Sequence, residues 1–139
     1  MSKILLVSDT RAVLDDLRAV LDDGENEVTE VTSGQAVRQA VAEDPPDLVV
    51  TDCQVGNMGG IAVALDLKLE ESGGRLPYVP VLLLLDRRAD VFLAKRSGAE
   101  GWLVKPLEPV RLRRAAKTLL DGDDFHDESF RPIQVLARP

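Results

Sequence analysis

The feature that most constrains the fold is a continuous apolar run, Leu48 to Val50, followed two residues later by the carboxylate of Asp52. The run has no polar alternation, which is typical of a central strand in a parallel sheet covered on both faces. Asp52 then lies at the carboxyl end of that strand. Ligands bind at this edge of open α/β sheets, because the loops diverge there and leave a crevice. We therefore expect Asp52 to serve chemistry rather than packing.

Strand-like segments alternate with segments of helical periodicity along the chain. Strands are predicted at 4–7, 27–31, 48–52, 81–85 and 102–104. The helices between and after them are predicted to end near residues 21, 43, 71, 97 and 120. No pattern of hairpin turns interrupts this order. The sequence therefore predicts an α/β fold, a doubly wound five-stranded parallel sheet in the order 2-1-3-4-5.

Composition narrows the class of protein. The 139 residues suffice for one domain, and the net charge of -7 argues against dominant contacts with nucleic-acid phosphates. Cys53 is the only cysteine, so no internal disulfide can form and a reducing compartment is favoured. No apolar run approaches the ~18 residues of a membrane span. We expect a cytoplasmic protein with no nucleic-acid or membrane partner.

Charged side chains from distant segments are expected to meet at one edge of the sheet. The first and third strands are neighbours in the predicted order, so Asp9 and Asp52 converge, and Lys105 follows the fifth strand. Paired carboxylates suit Mg²⁺, which accepts one or two carboxylates together with waters and a phosphate. A lysine beside them supplies charge for a transferred phosphoryl group. The pattern therefore predicts a magnesium-assisted phosphoryl site.

Three segments in this order resemble the receiver domains of two-component response regulators, over roughly residues 3–120. The matching pieces are the run 4–9, Asp52 with Asn57, Met58 and Gly60 in its loop, and the run 98–106 that ends in Lys105-Pro106. Each piece alone is a weak signal, and together they are a strong one. The resemblance implies a flavodoxin-like receiver fold.

The resemblance also implies a role for each site residue. Asp52 would accept a phosphoryl group from a sensor histidine kinase or phosphotransfer protein, and Lys105 would pair with that group. The Mg²⁺ ligands would be Asp9, Asp52 and the backbone carbonyl of Gln54. Pro106 would follow a cis peptide bond. The chain would act in a phosphorelay by binding a downstream protein target, and we do not expect it to be an enzyme.

Four residues depart from the family's pattern. Ser8 stands where the first of two adjacent acids is usual, and Gly56 replaces a proline in the loop after Asp52. Leu85 replaces a threonine or serine whose hydroxyl normally bonds the phosphoryl group, and leucine has no donor. Asp86 replaces a small residue and would repel an incoming phosphoryl dianion. These departures keep open a degenerate receiver that works without phosphorylation.

Other functions remain as alternatives. Lys105 could be only a structural ion-pair partner of Asp52. Residues 56–60 could form a phosphate loop at a helix N-terminus in a flavodoxin-like small-ligand binder, although they match neither known phosphate-loop motif. A catalytic phosphatase or hydrolase is the least favoured, since no substrate pocket is evident. His126 is the only histidine, so nothing supports a histidine-assisted nucleophile such as Cys53.

The predicted domain boundary lies at residue 120, with a receiver over 1–120, an acidic and then apolar tail over 121–139, and no effector domain. We expect disorder over 121–128, and docking or sheet addition by the apolar residues 133–136. We also expect a homodimer through the fourth helix, fifth strand and last helix. Trp102 is expected to pack on the surface of the fourth helix. Arg111, Arg114 and Lys117 are expected to form a solvated face open to acidic partners.

Overall fold

The structure is a computed structural model and describes residues 1–54 and 59–127. Its strands are β1 (Ser2–Val7), β2 (Asn26–Val31), β3 (Leu48–Asp52), β4 (Val81–Leu85), β5 (Gly101–Val104) and β6 (Phe125–His126). Its helices are α1 (Arg11–Leu21), α2 (Gln35–Glu43), α3 (Gly60–Ser72), α4 (Val91–Arg96) and α5 (Pro109–Leu120). Among the helices of these two ranges, none is long and apolar enough to cross a membrane.

All strands of the described residues are parallel, and their order in the sheet is β2-β1-β3-β4-β5-β6. The order of the first five strands confirms the sequence prediction. Val7 lies opposite Thr51, and Asp52 lies opposite Leu84. The carboxyl ends of β1, β3 and β4 therefore meet at one edge.

The apolar residues of the sheet fill two cores, one on each face. Along β1, Leu5 and Val7 join the cluster under α2, α3 and α4, whereas Ile4 and Leu6 join the cluster under α1 and α5. Successive strand residues point to opposite faces, so a continuous apolar run fills both layers. The same alternation runs along 81–85. The two cores hold the sheet rigid beneath its carboxyl edge.

The expected strand number was wrong, because a sixth strand extends the sheet. Phe125 and His126 pair with Gly101 and Trp102, and the Phe125 amide donates to the Glu100 carbonyl at 3.1 Å. Gly101 permits this approach, since a Cβ there would lie 2.9 Å from the Phe125 carbonyl oxygen. The expectation of disorder over 121–128 is thereby corrected for 121–127. The expectation for 133–136 lies outside the described residues.

Residues 121–127, called here the C-terminal clasp, are anchored by one buried acid. Asp127 is 1% exposed and pairs with Arg111 Nη2 at 2.6 Å. Its other oxygen accepts the Val104 amide at 2.9 Å. The His126 ring stacks on Trp102 with centroids 4.1 Å apart and planes 3° from parallel.

The clasp bears on two expectations about the last third of the chain. Trp102 is buried in the core cluster that also contains Ala94 of α4, and His126 stacks on it from the clasp. Arg111 is not part of a purely solvated face, because its guanidinium is bound to Asp127. Arg114 and Lys117 remain exposed as expected.

Candidate functional site

An open pocket of about 660 Å³ lies at the carboxyl edge of the sheet. Its lining residues are Asp9, Thr10, Val13, Asp52, Cys53, Gln54, Gly59 and Lys105. The structure thus brings together Asp9, Asp52 and Lys105, which come from the ends of β1, β3 and β5. Gln54, the fourth residue expected at the site, lies in the same wall.

Asp52 is held firmly at the bottom of this pocket. Its side chain is 3% exposed. Oδ1 accepts a charge-assisted hydrogen bond from Lys105 Nζ at 2.7 Å and a longer one from the Gln54 amide at 3.4 Å. Oδ2 accepts from the Ser8 hydroxyl at 3.1 Å. Both carboxylate oxygens are therefore fixed, which limits the orientations from which Asp52 can react.

Ser8 has a positioning role that the sequence did not reveal. Its buried hydroxyl donates to Asp52 and accepts the Thr10 amide at 3.1 Å. The hydroxyl has two lone pairs and one proton, so it can do both. Local sequence gives no signal for this contact, since it depends on β1 lying beside β3. Where the family usually has the first of two acids, Ser8 therefore contributes an oriented hydrogen bond to Asp52 and no charge.

Lys105 is shared between two carboxylates. Its Nζ lies 2.7 Å from Asp52 Oδ1 and 2.9 Å from Asp86 Oδ1. Burial alone would lower the pKa of Lys105, but the hydrogen bonds to Asp52 and Asp86 outweigh it and raise that pKa above 10.5. Lys105 is therefore a protonated cation at neutral pH. Its contact with Asp86 could not be predicted from the sequence.

Asp9 supplies a second, exposed carboxylate to the pocket. Its Oδ1 accepts the Thr10 hydroxyl at 3.4 Å. Within residues 1–54 and 59–127, no group of three or more acids, histidines or cysteines forms a self-sufficient metal cluster. Mg²⁺ does not need one, because it binds through one or two carboxylates with water and phosphate oxygens completing the shell. The hard oxygen donors of Asp9 and Asp52 in one pocket fit that requirement.

The start of α3 lies directly against the end of β3. The Gly60 amide donates to the Cys53 carbonyl at 2.9 Å, and a Cβ on Gly60 would lie 2.4 Å from the Asp52 carbonyl oxygen. Only glycine allows this approach. The intervening residues 55–58 lie outside the described parts. The predictions for Gly56 and for most of the candidate phosphate loop therefore concern residues outside the described parts of the chain.

Three further residues near the site, Leu85, Thr51 and Cys53, contribute packing rather than donors to the pocket. Leu85 is fully buried, and Thr51 donates its hydroxyl to the Asp52 backbone carbonyl at 3.2 Å. Neither provides a hydroxyl to the pocket. Cys53 packs against the core as expected, and burial, followed by the charges of Asp90 and Asp86, raises the pKa of its thiol.

Comparison with known families agrees with this geometry. The model of the response regulator receiver domain matches residues 4–117. The chain belongs to the response regulator receiver domain family. The Lys105-Pro106 peptide bond is cis, as the resemblance implied for this receiver.

Three known proteins show the similarity in sequence and in structure. The response regulator PleD of Caulobacter vibrioides is 30% identical over 118 residues, covering 85% of this chain and 26% of PleD. The receiver domain of a Syntrophus aciditrophicus histidine kinase has a TM-score of 0.78, 26% identity and 95% coverage of both chains. A sensor-kinase receiver from Pseudomonas aeruginosa, solved with magnesium in its active-site cleft, has a TM-score of 0.75, 23% identity and coverage of 87% and 98%. The chain thus spans about a quarter of PleD.

Proposed function

We propose that this receiver accepts a phosphoryl group on Asp52 and signals by binding another protein. The observation that carries the proposal is the 2.7 Å contact between Asp52 Oδ1 and Lys105 Nζ in a solvent-open pocket. Receiver domains act with histidine kinases or phosphotransfer proteins, and such a partner is the expected donor here. We do not propose turnover of a separate substrate.

Phosphoryl transfer requires mainly that the protein position the reacting groups and stabilise their charge. One Asp52 oxygen attacks the donor phosphorus and a P–O bond forms. With a phosphohistidine donor the P–N bond breaks and its electron pair remains on the imidazole nitrogen. With acetyl phosphate the P–O bond to the acetyl group breaks and acetate leaves with the pair. Lys105 then pairs with a phosphoryl oxygen.

Mg²⁺ belongs to the proposal as a cofactor held by Asp9, Asp52 and the backbone carbonyl of Gln54. When bound, it would neutralise charge on the phosphoryl oxygens. Asp9 is free to serve because its carboxylate is exposed to the pocket. Ser8 adds no charge, so this receiver has one acid fewer than usual near the metal. A cytoplasmic location is part of the same proposal, supported by the single cysteine.

A second copy of the chain is a proposed partner through α4, β5 and α5. Phe92 and Leu93 on α4 and Val110 on α5 are large apolar side chains exposed to solvent. The clasp adds β6 beside β5, so it would form part of this contact. Sedimentation should give a mass that rises with concentration, and a constant monomer mass would count against the dimer.

Intact-mass measurement tests the main proposal. Incubation with Mg²⁺ and acetyl phosphate should add one phosphoryl group to the wild-type chain. Asp52→Asn should add none, and a chelator should prevent the addition to the wild type. An adduct that survives in Asp52→Asn, or no adduct with either acetyl phosphate or a kinase donor, would contradict phosphorylation at Asp52.

A phosphorylation-independent receiver is the second candidate, and Leu85 favours it. The buried leucine provides no hydroxyl that could draw the following loop toward a phosphoryl group. In this version the partner binds the chain equally well before and after phosphorylation. Equal partner affinity for the wild type and Asp52→Asn would support it, whereas a loss of affinity in Asp52→Asn after donor treatment would support the phosphorylated version.

A further inference from the structure

Asp86 adds a carboxylate to the site, and this carboxylate contacts Lys105 directly. We propose that Asp86 is a positioning residue that competes with the phosphoryl group for Lys105 and so slows phosphoryl transfer to Asp52. The inference rests on the proposed function of Asp52. In this chain Asp86 therefore lowers the rate of that step.

The geometry defines the competition. Lys105 Nζ donates to Asp52 Oδ1 at 2.7 Å and to Asp86 Oδ1 at 2.9 Å. Two of the three ammonium protons are thus donated to carboxylates, one at the end of β3 and one just after β4. An incoming phosphoryl oxygen can take the third proton or replace one of these contacts, and in either case it shares the charge of Lys105 with Asp86. The Asp86 contact is the one that a phosphoryl group on Asp52 does not itself replace.

Charge strengthens the effect. A phosphoryl group arrives with negative charge, and both Asp52 and Asp86 are anions bound to the same nitrogen. The pocket is open to solvent, which weakens the repulsion without abolishing it. A neutral residue at position 86 would leave Lys105 with only one carboxylate. The lysine charge would then be available to the incoming group.

Asp86 is not needed to place Lys105. The Lys105 amide donates to the Leu85 carbonyl at 2.8 Å, and Leu85 lies opposite Val104 in the β4–β5 ladder. Backbone hydrogen bonding therefore fixes the position of the Lys105 main chain. Asp86 Oδ2 is shielded from solvent and has no hydrogen-bond partner among the described residues. The side chain is thus committed to Lys105 rather than to a structural network in these parts of the chain.

The test compares initial rates of Asp52 phosphorylation by acetyl phosphate with Mg²⁺, followed by intact mass, in full-length variants. Asp86→Asn keeps the shape and removes the charge, and we expect it to react about ten-fold faster at low salt. Asp86→Glu keeps the charge and should stay close to the wild type. Asp44→Asn is the matched control, because Asp44 pairs with Lys3 at 2.7 Å on the exposed surface away from the pocket. It should react like the wild type.

Salt dependence separates charge competition from a structural effect. The wild-type rate should rise with ionic strength, because salt screens Asp86 from the donor, and the Asp86→Asn rate should depend on salt less. Asp86→Asn rates within two-fold of the wild type, with an unchanged salt slope, would overturn the inference while leaving Asp52 phosphorylation intact. If neither protein acquires a phosphoryl group from acetyl phosphate or from a kinase donor, both the inference and the proposed function are contradicted. Phosphorylation by acetyl phosphate seen only in Asp86→Asn would support the inference, and phosphorylation of the wild type by a kinase donor would then decide the proposed function.

Discussion

Lys105 and Arg111 are both basic side chains bound to an acid from another element, yet they lie in different environments. Lys105 is 24% exposed at an open pocket and touches two carboxylates. Arg111 is 33% exposed and binds Asp127, whose carboxylate is 1% exposed and also accepts a backbone amide. The first arrangement can exchange partners with a ligand. In the second, both oxygens of Asp127 are bound, one by Arg111 and one by the Val104 amide, and the pair holds the clasp to the sheet.

The largest expected effect comes from Asp127→Asn. Asp127 accepts from two donors, Arg111 and the Val104 amide, whereas an asparagine offers one oxygen and one amide group. One buried donor is therefore left facing another donor, and we expect a loss of about 2–3 kcal/mol in the free energy of unfolding. Urea denaturation measures this loss.

Asp121 provides the matched control for that substitution. It lies in the same clasp and is exposed, with Lys117 3.9 Å away. Asp121→Asn should leave the free energy of unfolding nearly unchanged, because exposed ion pairs contribute little. Equal effects of the two substitutions would show that the clasp is not anchored by Asp127.

A smaller effect is expected from His126→Ala. The change removes the ring that stacks on Trp102, and such contacts contribute roughly 0.5–1.5 kcal/mol. Trp102 is the only tryptophan in the chain, so its emission should shift to the red as it gains solvent. An unchanged emission spectrum would indicate that the stack does not cover Trp102 in solution.

The same change from aspartate to asparagine at the pocket should cost much less stability. In Asp52→Asn the new amide group can donate to Ser8, whose hydroxyl has lone pairs to accept it, while the oxygen still faces Lys105. We expect the free energy of unfolding to change by less than about 1 kcal/mol. Denaturation of Asp52→Asn alongside Asp127→Asn tests the contrast directly, and a larger loss at Asp52 would reverse it.

The smallest effect concerns the titration of Cys53. Burial and then the charges of Asp90, Asp86 and Asp52 raise the pKa of the thiol above 9.0. The folded chain then holds the proton more tightly than the unfolded chain, so the resulting stability is present below pH 9 and falls as pH rises through the folded pKa. Alkylation rates against pH should show a midpoint above 9.0. Asp86→Asn should move that midpoint down, and a midpoint at 9.0 in both proteins would contradict the account.

The first five strands could be predicted because their side chains carry a local signal. Apolar runs such as 4–7 and 81–85 fill both cores, and a run of that kind is recognisable without knowing its neighbours. The convergence of Asp9, Asp52 and Lys105 then followed from strand order alone. Order at the carboxyl edge is a property of parallel sheets.

The clasp and the finer site contacts could not be predicted, because they depend on pairs of residues far apart in sequence. Asp127 is one acid among several near the end of the chain, and only its position beside Arg111 and Val104 distinguishes it. Strand β6 has two residues, too few for any periodicity. The sequence marks Ser8 and Asp86 as departures from the family's pattern, but their bonds to Asp52 and Lys105 depend on the fold.

A crystal structure with Mg²⁺ and beryllofluoride, a mimic of the phosphoryl group, tests the central claim most directly. The account predicts the mimic on the Asp52 carboxylate and Lys105 Nζ on one of its fluorines, drawn away from Asp86. It also predicts that the Arg111–Asp127 pair keeps its 2.6 Å contact. An Asp52 carboxylate free of the mimic, with Lys105 still shared between Asp52 and Asp86, would contradict the claim.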